Sequence, residues 1–257
     1  MERRHEPVLL FFWLAVCVAL GLLAMAAREL CGRGMETFLS DTLLPAAGST
    51  MALCSLALLF AAPPAVAAAV YFFAFPPAGP WSRALHLAWE LLSAVPSVIW
   101  GLFGFLFFGN YLRFGSFLSA SLTLALVLLP EIQRSTEAAL AGVPAAYQKA
   151  SQALGATSWR TLREIVLPQA GKEIIAGLIL ALRRGAGETA ALLLLFGSLR
   201  QTPGPAPLSV LLFQRAAGER GSVCAVALAL VGIVLLLSAL AKCVSSSCFT
   251  SARGVRK

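Results

Sequence analysis

Arg183, Arg184 and Glu188 stand close together in a run from Ile174 to Leu199 that is otherwise free of charge. A guanidinium offers a planar fork of N–H donors that suits the oxygens of phosphate and other oxyanions. A carboxylate beside it keeps such a site from holding its anion too tightly. Residues 184 and 188 have i,i+4 spacing, so on a continuous helix their side chains share a face and partly neutralise each other. Each such charge near a bilayer centre costs about 2.5–3.5 kcal/mol on insertion scales. A helix pair recovers only about 0.2–0.5 kcal/mol, so partner charges across a bundle or a water-filled path must hold them. Two readings stay open: a buried structural ion pair that fixes helix register, and a charged lining for anion passage. Arg183 lies about 100° around the helix from Arg184, and faces either the path or a neighbouring subunit.

Other chemistry finds little support. No G-x-x-x-x-G-K-[ST] phosphate loop, H-E-x-x-H or G-x-S-x-G occurs, so the chain does not hydrolyse ATP or a peptide by those routes and is not read as an enzyme. The six cysteines (Cys17, Cys31, Cys54, Cys224, Cys243, Cys248) form no C-x-x-C, and His5 and His86 are the only histidines. No metal or cofactor is expected. His86 and Glu90, four residues apart, read as contacts to headgroups or loop backbone, and Glu131 with Arg134 as a local ion pair.

The elements that must position these residues follow from composition. Of 257 residues, 59% are apolar and 12% charged, with a net charge of +8. About 25% charged residues is usual for a soluble domain, which excludes an ordinary soluble enzyme, a nucleic-acid-binding module and a disordered tail. Runs of roughly 20 apolar residues can cross a bilayer. Six are found: Val8–Ala27, a stretch within Ser49–Phe75 that Pro63-Pro64 should kink, Leu91–Leu112, Phe114–Pro130, Ile174–Leu199 and Gly221–Ala241. The expected fold is an all-α integral membrane protein of six transmembrane helices. Twelve basic residues (Arg3, Arg4, Arg83, Arg134, Lys149, Arg160, Arg163, Lys172, Lys242, Arg253, Arg256, Lys257) fall on one side and six (Arg28, Arg33, Arg113, Arg200, Arg215, Arg220) on the other. The positive-inside rule then places both termini in the cytoplasm. Pro203, Pro205 and Pro207 predict an extracytoplasmic loop.

One cytoplasmic loop, Ser135–Gly171, is patterned beyond what a connector needs. Pro144 suits a first helical position and Gly155 the residue just past a helix end. Between them Tyr147, Ala150 and Leu154 share a face. A second short helix is capped by Thr157 or Ser158 and stopped by Pro168. Trp159, Leu162, Ile165 and Val166 form its apolar face, opposite Arg160, Arg163 and Glu164. The pair reads either as a hairpin on the lipid surface or as a knob that docks into a cytoplasmic partner.

This loop resembles the E-A-A-x3-G-x9-I-x-L-P coupling helix of ABC-importer permeases. Here it reads Lys149-Ala150-Ser151, three residues, Gly155, nine residues, Ile165, one residue, Leu167-Pro168, with Lys149 and Ser151 departing from the pattern. Pro96-Ser97-Val98-Ile99-Trp100-Gly101-Leu102-Phe103-Gly104 and Ala181-Leu182-x-Arg184-x-Ala186-Gly187-Glu188-Thr189 are similar to segments of phosphate-uptake permeases. The likeness runs from about residue 45 to 242 and is best to the A-type permease subunit of phosphate importers. It implies a type I importer permease fold, divided into 1–48 (first helix and extracytoplasmic loop), 49–242 (permease core, coupling loop 143–168) and 243–257 (basic cytoplasmic tail). It implies a substrate path at Arg184, Glu188, Arg183 and Thr189. Tyr147, Lys149, Ala150, Ser151, Gly155, Ala156, Trp159, Leu162, Ile165, Leu167 and Pro168 would couple to an ATPase. Implied partners are a second homologous permease, two ATPase subunits, a periplasmic or surface phosphate-binding protein and membrane lipid, with no nucleic acid, in a bacterial inner membrane. Another oxyanion (phosphonate, molybdate, tungstate) and an ATP-independent transporter or channel remain as alternatives.

Overall fold

The structure is a computed structural model that describes residues 42–74, 79–198, 205–216 and 220–253. The expected first span, Val8–Ala27, and residues 201–204 lie outside them. Among the described residues the chain is helical, without strands. Its elements are α1 (Leu44–Ala74), α2 (Pro80–Ala94), α3 (Ser97–Gly104) with a π-helical extension (Phe105–Tyr111), α4 (Ser116–Ala141), α5 (Ala145–Ala153), α6 (Ser158–Thr161), a π turn (Leu162–Val166) running into α7 (Leu167–Ala186), α8 (Ala190–Ser198), α9 (Leu208–Ala216) and α10 (Arg220–Arg253).

Among the described residues four stretches are long and apolar enough to cross a membrane: Leu44–Ala74, Phe117–Ala141, Ser158–Ala186 and Ala225–Ser245. Arg83–Ala94 and Ser97–Tyr111, bent by 92°, make a fifth if they form one broken span. The break corrects the expectation of a single helix over Leu91–Leu112. Pro96 has no N–H to give and forces the residue before it out of the α region. Val95 is accordingly extended (φ −69°, ψ 124°), and Ile99 and Trp100 restart the helix by donating to the Pro96 carbonyl at 3.0 and 3.4 Å.

Three other boundaries differ from expectation. The fourth span does not end at Pro130 but continues to Ala141, and Glu131 pairs there with Arg184 of α7. Pro168 does not stop the short loop helix. In a regular α-turn its ring would meet the carbonyl of residue 164, but residue 164 lies in the π turn, and the helix runs on unbroken to Ala186. The expected fifth span, Ile174–Leu199, breaks at Gly187-Glu188-Thr189, between α7 and α8. Pro63-Pro64, by contrast, lie within an uninterrupted α1.

Small residues set the packing. On α1, Ala57, Ala61, Ala65 and Ala69 recur every fourth position and are fully buried, a stripe that lets neighbouring backbones approach closely. With Leu53 and Cys54 they form a core with Ala120, Leu124, Leu128 and Ile132 of α4, Ala181 and Ala186 of α7, and Leu192 and Leu195 of α8. At one end Leu140 and Val143 meet Leu162, Val166 and the last turn of α1. At the other end Leu43 and Ala46 meet Leu208, Ala225 and Val226. The first cluster seats the loop helices against the bundle. The second gathers the start of α1, α9 and the start of α10.

Candidate anion path and coupling loop

The break after α7 changes what the charges at Arg183, Arg184 and Glu188 do. Arg183 and Arg184 fall in the last turn of α7, where the negative end of the helix dipole favours a cation by about 0.3–1 kcal/mol. Glu188 lies beyond the helix end, so it does not share a helical face with Arg184. Its Oε1 accepts from the Ala191 N–H at 3.5 Å in the first turn of α8, and its carbonyl accepts from Ser209 Oγ at 2.9 Å. A Thr50 staple secures the same region: Thr50 Oγ1 donates to the Ala46 carbonyl (2.7 Å) and accepts from the Leu208 N–H (2.9 Å).

Arg184 pairs instead with Glu131 of α4, Nη1 to Oε2 at 3.5 Å. This is the cross-bundle partner that the insertion cost demands, and it corrects the reading of Glu131 and Arg134 as a local pair. Arg134 Nη2 donates to Ser93 Oγ of α2 at 2.6 Å. The α2–α3 elbow, α4 and α7 thereby border a half-open cavity of about 320 Å³ lined by Ser93, Ala94, Val95, Pro96, Ser97, Trp100, Val127, Pro130, Glu131, Arg134 and Arg184. It brings two guanidiniums, one carboxylate and two hydroxyls to one place.

Of the residues expected on the path, Arg184 lines this cavity. Arg183 points to α10, where its Nη1 donates to Ser238 Oγ at 3.4 Å. Glu188 and Thr189 form the α7–α8 corner, with Thr189 Oγ1 donating to the Gly187 carbonyl at 3.4 Å. Ser93, Ser97, Trp100, Glu131 and Arg134 escaped the sequence argument as cavity residues. The available signal was Pro96 beside Ser97, which marks an irregular backbone with a polar group inside an apolar run.

The loop forms as its local chemistry dictates. After α5, Gly155 N–H donates to the Gln152 carbonyl (2.9 Å) and Ala156 N–H to the Ser151 carbonyl (3.2 Å). That paired closure requires a residue in the left-handed region, and Gly155 supplies it at φ +84°. Thr157 caps the next helix, its Oγ1 accepting from the Arg160 N–H at 3.3 Å. Arg160 and Glu164 pair across the exposed face at 3.1 Å. Leu162 and Val166 are buried and Ile165 half-buried, but Trp159 is exposed, along with Tyr147, Lys149, Ala150 and Leu154. Leu154, at the tip, is 90% exposed.

Ser151, one of the two departures from the coupling pattern, is buried and shares a 2.9 Å hydrogen bond with the buried Thr161 hydroxyl. This bond ties α5 to α6. Either S151A or T161V leaves one hydroxyl buried without its partner, at about 1–3 kcal/mol, and is expected to lower the thermal midpoint of the purified subunit. The double variant removes both groups and should recover most of the loss. A double variant as unstable as the sum of the singles would mean the bond is not what links the helices.

Residues 65–247 match the family described as binding-protein-dependent transport system inner membrane component. A phosphate transport system permease protein of Mycobacterium bovis, PstA 2, is 40% identical over 120 residues, covering 46% of this chain and 40% of that protein. A probable phosphate transport system permease protein of Methanocaldococcus jannaschii is 33% identical over 185 residues, covering 68% of this chain and 64% of its own. The chain thus spans about half the length of the curated relatives it matches. Among solved structures, a chain of an inward-facing methionine ABC transporter superposes with a TM-score of 0.68 at 19% identity, covering 80% of this chain and 95% of that one. A chain of a bacterial alginate ABC transporter gives 0.58 at 16% identity over 98% and 93%. These two are likenesses of fold, that of ABC-importer permeases. With most of its length matched, this chain belongs to the family of inner membrane components of binding-protein-dependent transport systems.

Proposed function

We propose that this chain is a permease subunit of an ATP-driven phosphate importer in a bacterial inner membrane, with both termini cytoplasmic. The observation that carries the reading is the cavity where Arg184 and Arg134 converge with two serine hydroxyls between α2–α3, α4 and α7. Forked guanidiniums in a polar enclosure among apolar helices suit a tetrahedral oxyanion, and relatives at 33–40% identity carry phosphate-transport names. The chain has no nucleotide-binding loop, so ATPase subunits supply the energy, a second permease completes the path, and a binding protein delivers substrate. Alternating access follows if nucleotide and substrate favour different arrangements of the helices.

The exposed knob is the coupling element. Tyr147, Leu154 and Trp159 present apolar surface on a cytoplasmic loop, held rigidly by the Gly155 turn and the Ser151–Thr161 bond. The test is uptake of radiolabelled phosphate by proteoliposomes containing the complete complex. Uptake is expected only with ATP and the binding protein together. ATP-independent flux through the purified chain would overturn the reading in favour of a channel. L154D puts a charge where an apolar tip enters a partner's cleft. It is expected to weaken ATPase association and ATP-driven uptake about tenfold, equivalent to about 1.4 kcal/mol, with normal membrane insertion. Wild-type uptake in that variant would remove Leu154 from the coupling surface.

A further inference from the structure

We infer that Glu131 is the exchangeable counter-ion of Arg184: it holds the guanidinium while the cavity is empty and yields it to a passing oxyanion. The inference rests on the transport reading above and adds to it a residue that governs affinity and release.

The geometry makes the exchange possible. The Glu131–Arg184 contact is 3.5 Å long, with the two side chains 47% and 56% exposed, and both line the same cavity. A pair so open to solvent is weak, and an incoming anion with two or more oxygens can displace it. About 320 Å³ leaves room for a tetrahedral oxyanion and several waters, each taking about 30 Å³. Arg134 is differently placed, since its Nη2 makes a 2.6 Å bond to Ser93 and stays anchored to the elbow. Arg184 is therefore the guanidinium whose partner can change.

Release needs this partner more than binding does. When an anion leaves Arg184, the half-exposed guanidinium loses its counter-charge, a cost that opposes departure. The returning carboxylate removes the cost without a second substrate molecule. Glu188 cannot serve, because its carboxylate is turned to the first turn of α8. Glu131 and Arg184 also sit on α4 and α7, the helices that lead into and out of the coupling loop. Exchange of the pair thus alters a link between the two helices that carry the knob.

Binding of radiolabelled inorganic phosphate to the purified complex, without binding protein, tests this together with ATP-driven uptake. E131Q keeps the shape and removes the competitor. It is expected to bind phosphate about tenfold more tightly and to turn over about tenfold more slowly. Loss of a merely structural contact does not tighten binding, so unchanged or weaker phosphate binding in an assembled E131Q complex overturns the inference. In an R184Q background, where Glu131 has no guanidinium to compete for, the same change should tighten binding far less, by relief of repulsion alone, and equal tightening there would mean general repulsion rather than a counter-ion. If E131Q does not assemble, E131D decides, since its shorter stem draws the carboxylate back. About threefold tighter binding is expected, and wild-type affinity would overturn the inference. R184Q taking up phosphate at the wild-type rate would remove the transport path itself. R184Q inactive beside an unchanged E131Q would remove only the counter-ion.

Discussion

R184Q is expected to lower ATP-driven phosphate uptake about hundredfold, while the subunit still inserts and assembles with its partners. The charge sits in the last turn of α7, so the helix itself does not depend on it. Every interaction found for the Arg184 guanidinium lies in or on the cavity: the Glu131 carboxylate at 3.5 Å and the space it lines with Ser93, Ser97, Trp100 and Arg134. Removing it has two effects. The anion loses a forked, charge-assisted donor, and Glu131 is left in the path as an unpaired negative charge. Hydrogen bonds to charged groups are worth about 1.5–3 kcal/mol each, and about 2.7 kcal/mol is a hundredfold in rate or affinity. R184K keeps the charge but loses the planar fork, and should fall between wild type and R184Q. The second effect gives the prediction its sharper form. R184Q/E131Q carries no unpaired carboxylate, and its uptake should exceed that of R184Q alone. Uptake in R184Q at the wild-type rate would take Arg184 out of the path. A double variant no better than R184Q would show that Glu131 does not repel the anion.

That pairing also marks where sequence reasoning ends. The i,i+4 rule joined Arg184 to Glu188 because it assumed one continuous helix, and the run Ile174–Leu199 contains no proline to mark a break. The break at Gly187–Thr189 is held by tertiary contacts, Ser209 Oγ to the Glu188 carbonyl among them, and the true partner lies 53 residues away on α4. Proline was an equally ambiguous signal. Pro96 ends a helix, whereas Pro63, Pro64 and Pro130 lie inside helices that continue, because in a bundle neighbouring groups can re-satisfy the backbone that a proline frees. Pro168 is passed because a π turn precedes it. What could be read was local. The Gly155 turn and the Thr157 cap depend on residues within one or two turns, and the spacing of Leu162 and Val166 marks the face that the bundle buries; the structure has all of them as expected. Trp159, placed with the apolar face, is exposed instead, because its turn directs Thr161 inward against Ser151 and leaves the indole outside. The cavity was hidden for the same reason as the ion pair. It is built from three elements far apart in the chain, and only the elbow at Pro96-Ser97 left a local trace.

G101L should abolish accumulation of the folded subunit, because the added side chain meets backbone. A Cβ at Gly101 would lie 2.7 Å from the Ala191 Cα and 2.9 Å from the Ala191 carbonyl oxygen. Both are backbone atoms of α8, so no rotamer change relieves the contact, and α3 and α8 must separate. Ala191 is itself fully buried, next to Leu192 and Leu195 in the main core. Its N–H also approaches Glu188 Oε1 at 3.5 Å, so displacing α8 disturbs the corner that follows Arg184. Overpacking a well-filled interior by added methylenes costs about 1–3 kcal/mol, and more where backbone must shift, which is a large share of the roughly 5–15 kcal/mol that holds a typical domain together. G101A, with one added carbon, should be milder, lowering the thermal midpoint and slowing uptake by displacing the α3 wall of the cavity at Ser97 and Trp100. Membrane yield and thermal unfolding of the purified complex separate the two variants. If G101L accumulates and unfolds like wild type, α3 and α8 are not in the close contact that the structure shows, and the cavity wall at Ser97 and Trp100 does not depend on that contact.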